Sequence, residues 1–256
     1  MLRALGVIPA RYASTRFPGK PLAPLGNGSL LSAVWTAATA GSRLTRVIVA
    51  TEDQRIVDAC RGYGAEAMLT SAEHASGTDR AAEVVRRVSE PFDVVVNIQG
   101  DEPFVTPASL DLLVAAFEDR PDLEMATLAE PLETADDLAD PGVVKVVLAA
   151  DGRALYFSRA PIPYHRASGG RPSGNSLAGY LKHQGIYAYR VPTLLKLTGM
   201  AASPLELAES LEQLRALQAG IEILVLASDF RSIAVDTPAD LARAASRLTS
   251  RQEITR

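Results

Sequence analysis

The sequence predicts one α/β domain spanning residues 1–256, built on a mainly parallel sheet with a β-hairpin excursion in its second half. Three observations carry that expectation. Short apolar runs alternate with amphipathic stretches through the first part of the chain, the rhythm of βαβ crossovers with both sheet faces buried. An Asp151-Gly152 pair between two β-rich runs marks a tight antiparallel turn. With 256 residues the chain can bury a core that needs no disulfide or structural metal.

In order, LGVIPA (5–10), RVIVAT (46–51), AEAMLT (65–70) and DVVVNIQ (93–99) read as buried strands. Between them SLLSAVWTAAT, QRIVDACRGYG and TDRAAEVVRRV read as helices. VVKVVLAADGRALYFSR supplies the hairpin, over about 143–158. The polar, Gly- and Ser-rich segment 164–179 reads as a flexible surface loop, suited to a lid. Thr106-Pro107, Ser203-Pro204 and Thr237-Pro238 each place a capping hydroxyl before a proline, so three helices should begin there. The second of these is expected to run on through Glu212 and Gln213. In a parallel sheet ligands bind beyond the strand C-terminal ends, so residues at those ends are the site candidates.

Composition narrows the function. The net charge is −4 with both signs interspersed, which offers no surface for nucleic acid or an anionic membrane. No run reaches membrane-span length and no secretory leader is expected, so the protein is read as cytoplasmic. Cys60, in IVDAC, reads as a small buried hydrophobe. The histidines, His74, His165 and His183, lack zinc-ligand spacing.

Against this acidic background RYASTRFPGKPL, directly after the first strand, stands out. It is neither a Walker A loop, because Pro21 follows Gly19-Lys20 and no glycine lies five residues earlier, nor a GxGxxG dinucleotide turn. It offers Arg11, Arg16 and Lys20, the hydroxyls of Ser14 and Thr15, and backbone N–H groups around Gly19. Forked guanidiniums and an ammonium suit a polyphosphate. Two carboxylates belong to the same rim. Asp101 follows the DVVVNIQG run, and Asp236 follows the β-rich RSIAV. Thr237 already caps the last helix, which frees Asp236 for other work. Hard oxygen ligands from two segments suit Mg²⁺.

IPARYASTRFPGKPL, MLTSAEHASGTDRAAEV, VVNIQGDEP, VKVVLAADGRALYFSRAPIP, KHQGIYAYR, SPLELAESLEQLRAL and VDTPADL occur in this order from about Val7 to Leu241. Carrying them, the chain resembles the 3-deoxy-manno-octulosonate (Kdo) cytidylyltransferases, the CMP-Kdo synthetases of lipopolysaccharide assembly. The resemblance implies a three-layer α/β/α nucleotidyltransferase-like (Rossmann-like) fold, a homodimer joined near the hairpin, and Mg²⁺-dependent transfer of CMP from CTP to Kdo with release of pyrophosphate. It implies that Ala10, Arg11, Ser14, Arg16 and Lys20 hold the nucleotide from the basic loop, and that Ser76, Gly77, Thr78 and Arg80 form the cytidine site. Asp101 and Asp236 would ligate the metal and, with Arg11 and Lys20, serve catalysis. Gln99, Arg159, His183, Tyr187, Glu212 and Gln213 would hold the sugar acid. The 8-amino form of the sugar, or a sialic acid, is the alternative acceptor. A glycosyltransferase is disfavoured, because Asp101 is followed by Glu102-Pro103 and not by an Asp-X-Asp pattern.

Overall fold

The computed structural model describes residues 2–170, 177–228 and 230–254; residues 171–176 of the expected loop lie outside these. The first half follows the alternation read from the sequence. Strand β1 (Ala4–Pro9) leads through a basic loop to a 3₁₀ turn at Lys20–Leu22, then to the two-residue strands β2 (Pro24–Leu25) and β3 (Gly28–Ser29). Helix α1 (Leu30–Thr39), β4 (Leu44–Thr51), α2 (Gln54–Gly62), β5 (Ala67–Leu69), α3 (Gly77–Arg87), β6 (Val94–Asn97), α4 (Pro107–Asp119) and β7 (Met125–Pro131) follow. The second half contains α5 (Ala135–Ala139), the hairpin β8 (Lys145–Leu148) and β9 (Ala154–Ser158), then β10 (Leu181–Arg190) and α6 (Val191–Thr198). Helices α7 (Pro204–Glu209) and α8 (Gln213–Gln218), strand β11 (Ile223–Ala227) and helix α9 (Pro238–Ile254) complete it.

The sheet order is β11-β7-β10-β6-β1-β4-β5, with the hairpin attached through β8 to β10. Every neighbouring pair on this path is parallel except those made by β10, which runs antiparallel to both β6 and β7. The start of β10 therefore lies at the rim where the other strands end. Strand alternation feeds two apolar layers. Ala4 and Ile8 of β1, with Val94, Val96 and Ile98, pack with α1, α2, α4 and α9. Leu5, Val7 and Val95 pack with α3, α6 and α8 on the opposite face. This is the three-layer arrangement expected, and each fully buried Val, Leu or Ile contributes about 1.5–3 kcal/mol.

The caps form as the sequence indicates. Thr106 and Ser203 accept the N3 amides of α4 and α7, and Thr237 accepts that of Asp240 in α9. Gly152, at φ 85°, turns the hairpin. Cys60 is buried.

Two expectations need correction. Helix α7 stops at Glu209, and Ser210 takes a left-handed conformation (φ 52°), so Glu212 caps a separate helix and only Gln213 lies within it. The break is gripped by the end of β9. Ser158 and the Arg159 backbone bind the Glu209 carboxylate, while the Arg159 guanidinium binds the carbonyls of Glu209 and Ser210. Second, the RSIAV run before Asp236 is not a strand; it crosses the rim as irregular backbone.

Gly100 sets how close the Asp101 turn comes to β1. A Cβ at this position would stand 2.7 Å from the Pro9 carbonyl oxygen. Gly100→Ala should therefore cost roughly 1–3 kcal/mol, the range for overpacking, measured as a lowered urea midpoint at unchanged m. An unchanged midpoint would show that the turn can move aside.

Candidate active site

The two aspartates predicted to meet do so. The Lys20 ammonium lies 2.8 Å from Asp101 Oδ2 and 3.2 Å from Asp236 Oδ1, and Arg16 pairs with the other oxygen of Asp236 at 3.1 Å. Burial opposes the charge on Lys20, but Asp101 and Asp236 outweigh it and hold its pKa above the ordinary value. The loop that delivers these cations closes on Tyr12, whose carbonyl accepts from both Ser14 N–H and Gly19 N–H. Gly19 has φ 72°, which glycine adopts without strain. Its N–H is thus committed to the loop and is not offered to a phosphate, contrary to the sequence reading. Arg11 lies exposed and donates to the His74 carbonyl, Ala10 is buried with its N–H on Ala50, and Ser14 accepts from Phe17 N–H.

Asp236 reaches the site because polar side chains hold its segment. Ser232 is the centre. Its hydroxyl lies 2.7 and 2.8 Å from the two Glu102 oxygens, its N–H donates to Glu130, and its carbonyl accepts from Lys182. Gln184 donates to the Phe230 carbonyl, and Val235 N–H donates to the carbonyl of Asp101 itself at 2.9 Å. Burial, followed by the neighbouring Asp101 charge, pushes the Glu102 carboxyl up to about 7.

A cleft of about 840 Å³ opens from the aspartates. Gly77, Thr78, Gln99, Asp101, Asp236, Arg159, His183, Tyr187, Glu212 and Gln213, all expected at the site, line it. Thr78 donates to Glu212 at 2.9 Å, and burial pushes the Glu212 carboxyl up. His183 and Tyr187 share a face, with ring centroids 5.2 Å apart. A bulge follows Gln184, and the buried Thr127 hydroxyl donates to the Ile186 carbonyl that the bulge frees. Burial drives the His183 imidazole down to about 3, so it is neutral near pH 7 and can only exchange hydrogen bonds there. Arg159 spends its guanidinium on the carbonyls of Pro141, Glu209 and Ser210, and among the described residues its guanidinium pairs with no carboxylate.

Arg80 is a correction. It is fully buried, with its guanidinium 2.9 Å from Glu52 and bonded to Thr70, and it does not line the cleft. Through Glu52, which accepts the Tyr12 N–H at 3.0 Å, it braces the basic loop. Ser76 is largely engaged as the N-cap of α3, exchanging hydrogen bonds with Asp79.

Sequence reading missed Glu52, Glu102, Thr127, Lys145, Glu209 and Ser232. Only Lys145 carried a local signal, a charged residue inside the apolar run VVKVVL. It is fully buried, with its ammonium on the carbonyls of Asp140, Val143 and Arg159, and burial pushes its pKa down.

A parallel-rim cleft with paired carboxylates beneath a basic loop defines a nucleotidyltransferase-type site, and comparison with known proteins agrees. The cytidylyltransferase family profile matches residues 5–223. The 3-deoxy-manno-octulosonate cytidylyltransferase of Solibacter usitatus is 45% identical over 94% of this chain and 92% of its own. That of Halorhodospira halophila is 48% identical over 95% and 96%. A solved CMP:2-keto-3-deoxy-manno-octonic acid synthetase complexed with CTP superimposes with a TM-score of 0.88 at 40% identity, covering 97% of this chain and 99% of that one. The 4-diphosphocytidyl-2C-methyl-D-erythritol synthase of Anaerococcus prevotii, at 12% identity and a TM-score of 0.63, shares the fold alone. The chain belongs to the 3-deoxy-manno-octulosonate cytidylyltransferase family.

The half-buried His183 has a measurable consequence. Its folded pKa lies below the ordinary 6.5, so its contribution to stability is complete above pH 6.5 and is lost as the pH falls toward 3. Glu102 has the opposite slope, losing stability as the pH rises from 4.5 toward 7. Between about pH 7.5 and pH 5, wild type should lose up to about 2 kcal/mol more than His183→Gln in urea unfolding. Parallel losses in the two proteins would show that the imidazole is charged in the fold.

Proposed function

We infer that this protein transfers CMP from CTP to Kdo, forming CMP-Kdo and pyrophosphate. The observation that carries the reading is the convergence of Asp101, Asp236 and Lys20 at a cleft that Arg159 and several hydrogen-bonding side chains also line. Extensive similarity to Kdo cytidylyltransferases supports both substrates.

In this reading Arg11, Arg16 and Lys20 bind the phosphates and withdraw charge from the departing pyrophosphate. Ser76, Gly77 and Thr78 bound the cytidine at the start of α3, with Arg80 supporting from below. The Arg159 cation receives the sugar carboxylate, and Gln99, His183, Tyr187, Glu212 and Gln213 orient the hydroxyls. Orientation is the main task, since in-line attack by the anomeric hydroxyl on the α-phosphorus requires no covalent protein intermediate. Asp101 and Asp236 offer hard oxygen donors on either side of one point, a set that suits Mg²⁺. When bound there, that ion would neutralise phosphate charge and ease deprotonation of the attacking hydroxyl. A homodimer accords with β9, which pairs only with β8 among the named strands and leaves Leu155 61% exposed. A cytoplasmic place in lipopolysaccharide assembly completes the reading.

Pyrophosphate release should be greatest with CTP, Kdo and Mg²⁺ in a panel that also includes UTP, ATP, 8-amino-Kdo and sialic acid. Asp101→Asn should lower the rate roughly a thousandfold, as expected for losing several kcal/mol of charge stabilisation. Preference for 8-amino-Kdo or sialic acid would replace the acceptor, and full activity of Asp101→Asn would remove that residue from the mechanism.

A further inference from the structure

Both aspartates that suit the metal are already occupied, and by the same nitrogen. Lys20 Nζ donates to Asp101 Oδ2 and Asp236 Oδ1, and Arg16 holds the remaining charged face of Asp236. The Lys20 side chain is only 14% exposed, so its ammonium lies within the site, whereas Arg16, at 66%, lies over the site from outside. A divalent cation held between these two carboxylates would have to take the place of that ammonium.

We propose that Lys20 is an exchangeable counter-ion: in the nucleotide-free protein its ammonium stands between Asp101 and Asp236, and a divalent cation replaces it only when a triphosphate draws Lys20 away. The proposal rests on the metal-binding reading of the two aspartates and adds the order in which the partners arrive. Charge balance favours it. Lys20 and Arg16 neutralise Asp101 and Asp236, so a free divalent cation would leave the cluster two charges positive or have to displace Lys20 with nothing to receive it. A metal-bound triphosphate remains anionic and supplies oxygens to which the ammonium can move.

The chemistry of lysine permits the exchange. Its charge is a compact point on a flexible stem of four carbons, held by rotatable donors and not by a planar fork. The backbone of Lys20 is fixed by the Phe17 carbonyl and the 3₁₀ turn, so only the stem has to swing. Between arrivals the ammonium also keeps two carboxylates from repelling one another, which preserves the site for the metal.

Direct titration of nucleotide-free protein with Mn²⁺, followed by electron paramagnetic resonance, tests this without turnover. Lys20→Met should bind Mn²⁺ at least about tenfold more tightly than wild type. A non-hydrolysable CTP analogue should tighten Mn²⁺ binding strongly in wild type and much less in the variant. Lys20→Gln, which keeps hydrogen bonds but removes charge, should behave as Lys20→Met does and serves if that variant fails to fold. Equal or weaker Mn²⁺ binding by the charge-free variants overturns the proposal. Asp101→Asn is measured alongside with the CTP analogue. If it binds Mn²⁺ as wild type does, the metal reading itself fails, an outcome distinct from failure of the exchange.

Discussion

Two carboxylates brought from distant parts of one chain repel each other unless a cation lies between them, and the Lys20 ammonium fills that position. Most of the architecture around the cleft serves to make this meeting possible. Gly100 lets the Asp101 turn approach the end of β1, the Tyr12-centred loop turns Lys20 back over the rim, and Val235 ties the Asp236 segment to the Asp101 carbonyl. Charge pairing at such a partly exposed place adds little stability by itself. Its importance is geometric, because it fixes two carboxylates around one point.

A second constraint is the reversed direction of β10. An all-parallel sheet would carry every strand start to the rim opposite the site. Running β10 against its neighbours instead brings Lys182 and His183 to the cleft from the beginning of a strand, with Tyr187 beyond the bulge. The bulge after Gln184 then leaves carbonyls without ladder partners, and the hydroxyl of Thr127 supplies the donor. The same strand therefore holds the sheet together and lines the cleft.

The polar interior supports charged residues at the cleft. Ser232 links Glu102, Glu130 and Lys182 beneath Asp236, Glu52 links Arg80 to the basic loop, and Lys145 underlies Arg159 through its carbonyl. Such networks are costly when incomplete, since each unsatisfied buried polar group costs about 1–3 kcal/mol. Their residues are thus bound to the geometry of the cleft as closely as those that touch it.

The parallel core, the hairpin turn at Gly152, the proline-marked helix starts and the meeting of the basic loop with Asp101 were legible in the sequence. Periodicity, capping and strand-end position are local properties, and the chain displays them residue by residue. The motifs also named the family. Tertiary structure alone decided the break at Ser210, the irregular path of RSIAV, the burial of Arg80 against Glu52 and the bracing roles of Ser232 and Thr127. Each depends on a partner far away in the chain, and a side chain's partner is set by packing and charge in three dimensions, which spacing along the backbone does not encode.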